Sequence, residues 1–233
     1  MLNEKETAFK YTLQLADNSL IISQRLSEWC GHGPVLEQDI ALTNIALDLL
    51  GQSASLFEYA ASLENKGRSD DDLAMKRVEN DYLNVLLVEY PNTDFAYTVV
   101  RQFFFDQFNF LLFNELKNSK DLTIAAVANK SIKEITYHKK WSSEWLIRLG
   151  DGTDVSHAKM QAAINELWSF TGEMFEMGTV DKDALALGIG PDLSILKKEW
   201  DVIVSDIISR ATLTKPSNNW MQTGGKSGNH SEY

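Results

Sequence analysis

Apolar residues recur along this chain at helical spacing, and nowhere do they alternate convincingly with period two. From Asn3 to Trp29 the apolar face is Phe9, Leu13, Leu20, Ile21, Leu26 and Trp29, with Asp17 interrupting it in mid-helix. GHGP at 31–34 breaks the chain, and Pro34 to Leu63 follows as a longer helix. There Ile40, Ala41, Leu42, Ile45, Leu47, Leu49, Leu50 and Phe57 leave no polar side through the middle, which predicts a helix buried all round. After the polar stretch NKGRSDDD, residues 73–87 read as a weaker helix that stops at EYPNTD. Phe95 to Leu116, with Phe103, Phe104, Phe105, Phe108 and Phe113, reads as a second buried helix. Leu122 to Leu149 is a third long helix, ended by Gly150 and Gly152 as left-handed stops. Thr153 to Met177 is a further helix, residues 178–192 a loop, and 193–211 an amphipathic final helix. The expectation is an all-α bundle over residues 1–213 and an irregular tail over 214–233.

Polar residues inside the apolar helices carry the chemical interest. Asn44, Asp48, Gln52 and Ser55 share one face of the 34–63 helix, and Gln102, Asp106 and Asn109 form a similar row later. In KEITYHKKWSSEW, Glu134 and His138 lie one turn apart. Four long helices thus each place an acid near the middle: Asp17, Asp48, Asp106 and Glu134. In an antiparallel bundle such positions meet at one level, as in ferritin-like dinuclear-iron proteins. The strong form of that signal is two Glu plus two Glu-x-x-His motifs, and this chain does not meet it. Its central helix has no His, its Glu134–His138 spacing is four, and only His32, His138, His157 and His230 exist. The residues read as a satisfied buried network, with Asp48 accepting from Gln52, Asn44 or a protonated His138. An occupied metal site, and polar residues that never meet, remain the alternatives.

Composition narrows the setting. A net charge of −11 argues against nucleic acid or an anionic membrane as partner. Cys30 is the single cysteine, so no internal disulfide forms and a reducing compartment is expected. No secretory leader is visible and no apolar run reaches the ~18 residues that span a bilayer, so the expected location is the cytoplasm. GGKSG at 224–228 has a Gly-Lys-Ser core, yet Trp220 stands where a phosphate loop needs Gly, and a mobile or partner-bound tail is the expectation.

The stretches LSEWCGHGPVLEQDIALTNIALDLLGQ, IRLGDGT and GGKSGNHSE carry a resemblance spread over nearly the whole chain. The sequence resembles the C subunits of the bacterial phenylacetyl-CoA ring-epoxidase complex, the phenylacetate-degradation monooxygenase. The resemblance implies a ferritin-like four-helix bundle with additional helices, and a structural partner for a homologous catalytic A subunit that holds the di-iron centre. It implies electrons from NADPH through FAD and iron–sulfur groups in a reductase, and no catalytic, cofactor or metal residues in this chain. Leu49 and Gln52 then stand where the catalytic homologue is expected to have Glu and His, and Glu134 and His138 look like a retained fragment. Asp48, Gln52, Asp106, Glu134 and His138 are the vestigial candidates. The competing reading is a di-iron oxygenase in its own right, which would use Asp48, Asp106, Glu134 and His138 as ligands.

Overall fold

The computed structural model describes residues 3–233, which are helical with no strand among them. Within these residues the α-helices are α1 (Glu4–Ser27), α2 (Leu36–Glu64), α3 (Asp70–Met75), α4 (Phe95–Leu116), α5 (Leu122–Gly150), α6 (Asp154–Leu167), α7 (Thr179–Leu187) and α8 (Leu193–Arg210). Helix α1 is capped by Asn3, whose side chain accepts from the Glu6 amide; Asp94 and Asp121 do the same for α4 and α5. The turn at 28–35 folds α2 back antiparallel on α1, so Gln52 reaches Ser19 while Ser53 reaches Ala16. A long crossover at 65–94 leads to α4, and α5 returns along it, with Gln107 on Ser143. α2 and α5 also run antiparallel, joined by Trp141 to Gln38 and His138 to Asp48. Two helical hairpins with one long crossover form the four-helix core, and α6 and α8 cover α4.

Phe103, Phe104, Phe105, Phe108 and Phe113 are all buried, as their clustering predicts. Trp200 of α8 donates from its indole to the Phe104 carbonyl and packs beside Trp168 and Phe175.

Four expectations about the bounds and ends of these elements fail. Residues 73–87 are not one helix: α3 ends at Met75 and two single 3₁₀ turns follow. The amides of Leu83, Val85 and Leu86 donate instead to the side chains of Asp17, Asn18 and Glu173, so remote acceptors outcompete the helical ladder. Helix α6 ends at Leu167 and passes into two 3₁₀ turns before Met177. Residues 178–192 contain α7, closed by Gly188 in the left-handed conformation. Gly150 and Gly152 are not left-handed stops; a Cβ on Gly150 would press on the Ala211 carbonyl, so this glycine permits close packing of α5 on the end of α8.

The tail is not loose. Gly224 and Lys226 donate backbone hydrogens to the buried Glu173 carboxylate, and the Lys226 ammonium pairs with Asp181 at 2.7 Å. His230 Nδ1 lies 2.7 Å from Glu89, and Ser231 donates to the other Glu89 oxygen. The Gly-Lys-Ser loop therefore already holds an anion, a side chain of its own chain.

Candidate functional site: a divided set of carboxylates and an open helix face

The four mid-helix acids do not converge. Asp17 is fully buried and pairs with both terminal nitrogens of Arg77, while the Leu83 amide donates to it at 2.9 Å. Arg77 in turn lies over the Tyr82 and Phe57 rings. This acid is neutralised by a cation from the crossover, which periodicity within α1 could not reveal. Burial still pushes the Asp17 pKa up, against the pull of Arg77 and the Leu83 amide.

On the α2–α5 side, Asp48 is answered by His138, Nε2 to Oδ2, at 3.0 Å. His138 is buried, whereas the Asp48 side chain is one-third exposed. Asp106, on α4, is buried and accepts from Gln102 at 2.7 Å. Its pKa is pushed up to about 7 by burial, with His138, Ser142 and Gln102 pulling the other way. Burial thus favours its neutral acid form, which is a poorer ligand for a cation than the carboxylate. Asp106 Oδ2, His138 Nδ1, Gln102 Oε1 and Asn109 Nδ2 are all buried without a hydrogen-bond partner. Glu134 is half-buried near Asp48; burial raises its pKa, Asp48 raises it further, and His138 and Lys130 oppose. Gln52 donates to Ser19 and so faces α1. Asn44 is exposed.

Two irons need carboxylates from four helices and imidazoles at one level. Here one acid is committed to Arg77, one is buried against Gln102, and one imidazole serves the whole cluster. Among the described residues no three His, Cys, Asp or Glu side chains lie close enough to hold an ion. The donor set does not fit a dinuclear centre.

The expected all-round burial of α2 also fails. Leu36, Ile40, Leu47 and Leu50 are 71%, 51%, 59% and 44% exposed, while Leu42, Ile45 and Leu49 are fully buried on the opposite side. With Thr43 and Ala54 between and beyond them, the outward positions step by 4, 3, 4, 3 and 4 residues. That is the spacing of a seam that receives another helix. The same composition makes α2 long and apolar enough to cross a membrane, contrary to the expectation that no segment is, although half of its most apolar window is buried in the bundle. Trp141 and Trp168 are core residues, while Trp29 and Trp145 are half-buried at its edge.

A bundle of two antiparallel hairpins, with mid-helix acids that do not converge and one uncovered apolar helix face, defines a helical protein of the ferritin-like class. Its sequence matches the phenylacetic acid catabolic protein family over residues 2–233, and the chain belongs to that family. The C subunit of the 1,2-phenylacetyl-CoA epoxidase of Escherichia coli (strain K12) is 49% identical over 223 residues, covering 96% of this chain and 90% of that protein.

Proposed function

We propose that this chain is the non-catalytic structural subunit of a multicomponent di-iron monooxygenase that epoxidises the aromatic ring of phenylacetyl-CoA in phenylacetate catabolism. Its task is to hold a homologous catalytic A subunit. The similarity to an epoxidase C subunit supports the pathway. The observation that carries the scaffold role is the pairing of a dispersed ligand set with an open seam on α2. Chemistry in this reading belongs to the partners: di-iron in the A subunit, and NADPH, FAD and iron–sulfur in the reductase. The cytoplasm is the setting that suits such reducing partners.

The seam is strong enough to matter. Burying Leu36, Ile40, Leu47 and Leu50 from their half-exposed state contributes about 1 kcal/mol each. An obligate interface would cover the seam as part of a larger apolar area. Leu47→Asp removes one contact and places a charge in the seam, at a further cost of several kcal/mol. Co-expression with the A subunit of the same organism tests this. Wild-type chain should co-purify with it in fixed ratio, and Leu47→Asp should abolish co-purification while the isolated variant remains folded. Retention of the A subunit by Leu47→Asp would reject docking on α2.

A further inference from the structure

At its far end the α2 seam opens into a cavity. Leu50 and Ala54, its last two outward positions, line an apolar space of about 80 Å³ together with Leu20, Phe57, Ala74 and Met75. Ser53 also lines it, but its hydroxyl is spent on the Ala16 carbonyl. A space with such walls gives up dispersion contacts and attracts apolar matter rather than water.

Met75 is the last residue of α3 and is 61% exposed. It stands across the cavity from Leu50, on a crossover that Arg77 anchors to Asp17. The apolar face therefore runs off α2 and onto α3. Scaled by their exposures, Leu36, Ile40, Leu47, Leu50 and Met75 present roughly 600 Å² of surface, at the upper end of a monomer's largest apolar patch and near the ~800 Å² that one side of a standard interface buries.

Charge selects the occupant. Helix α2 carries Glu37, Asp39, Asp48, Glu58 and Glu64, and no Lys, Arg or His. Two copies of it face to face would oppose acid to acid, which is unfavourable. Helices that lie on membranes carry cations on their polar face, and α2 has none. The heptad-like spacing of the outward positions suits a helix. What remains is a helix of a different chain.

We infer that the α2 seam and the α3 cavity form one heterotypic groove, which receives an amphipathic helix of the A subunit with neutral or basic flanks and takes one aliphatic side chain of that helix into the cavity. This rests on the docking reading and adds the extent of the groove and the chemistry of the helix it accepts. It also supplies register. A repeating seam tolerates a partner that slides by one repeat, whereas one side chain in one cavity does not.

The test is titration calorimetry of the A subunit against the full chain, using Met75→Ala, Ala54→Leu and Leu47→Asp, with a thermal melt and sedimentation analysis of each chain alone. Met75 and Ala54 are exposed, so neither change should lower the melting temperature. Met75→Ala removes apolar contact and should weaken binding about tenfold. Ala54→Leu fills the cavity with the chain's own atoms. It adds apolar surface and yet should weaken binding about tenfold, which a featureless apolar face would not do. Affinity should fall as NaCl is raised; a rise would set like charges across the groove and overturn the choice of partner. If Met75→Ala and Ala54→Leu both bind like wild type while Leu47→Asp does not, docking is confined to α2 and the groove is wrong. If Leu47→Asp also binds normally, the docking reading fails with it. Self-association of the wild-type chain that Met75→Ala abolishes would make the occupant a second copy. Uptake on anionic phospholipid vesicles that Met75→Ala abolishes would make it a membrane, and either result overturns the inference.

Discussion

Replacing Asp106 with Asn isolates what the buried centre of the bundle does. Asp106 is buried on α4, accepts from Gln102, and has a pKa pushed up to about 7 chiefly by burial. Its unfolded value is about 3.9. A folded pKa above the unfolded one means the native state binds the proton more tightly. The contribution is therefore fully present below about pH 4 and is lost as pH rises through about 7. A shift of roughly 3 units corresponds to about 4 kcal/mol in total, of which about 3 kcal/mol falls between pH 5 and pH 8. Asparagine keeps the oxygen that Gln102 addresses and removes the titration. Urea unfolding of wild type and Asp106→Asn at pH 5, 6, 7 and 8 gives the difference in stability at each pH. The variant should gain on the wild type by about 3 kcal/mol across that range. Parallel stability curves would refute the reasoning, because Asp106 would then be ionised in the folded chain through a partner such as a bound cation.

Other outcomes follow from the same contacts. Arg77→Met leaves the Asp17 carboxylate buried with the Leu83 amide as its remaining donor, and should destabilise the chain by about 3–5 kcal/mol in denaturant melts; adding Asp17→Leu should recover part of that loss. Gly225→Ala drives a methyl group into the Asn84 carbonyl, so it should release the tail, seen as faster proteolysis and amide exchange over residues 221–231 with α2 and α4 unaffected. Glu173→Gln weakens the same attachment by replacing the carboxylate that receives the amides of Leu86, Gly224 and Lys226, and should show the same exchange pattern to a lesser degree.

The long helices were legible because their apolar period is strong and their breaks are punctuated by GHGP and by the Asp94 and Asp121 caps. The Asp48–His138 contact was legible as one pairing among several, since antiparallel α2 and α5 bring mid-helix positions together. The crossover was not legible. Its backbone donors are claimed by Asp17, Asn18 and Glu173, which are distant in sequence, and local propensity carries no record of that competition. Arg77 was missed for the same reason. Helix α7 did leave a signal, Asp181 near its start and Gly188 at its end, but a short apolar pattern hid it. The outward face of α2 shows a deeper limit. Hydrophobicity says a residue seeks a partner, not whether that partner lies in the same chain, so Leu47 and Leu49 look alike in sequence and differ wholly in burial.

The central claim is that this family member supports chemistry located in another subunit. The most direct measurement is the iron content of the purified chain after expression in iron-rich medium, by elemental analysis. The account predicts iron well below one atom per chain. About two irons per chain would contradict it and return Asp48, Asp106, Glu134 and His138 to the role of ligands.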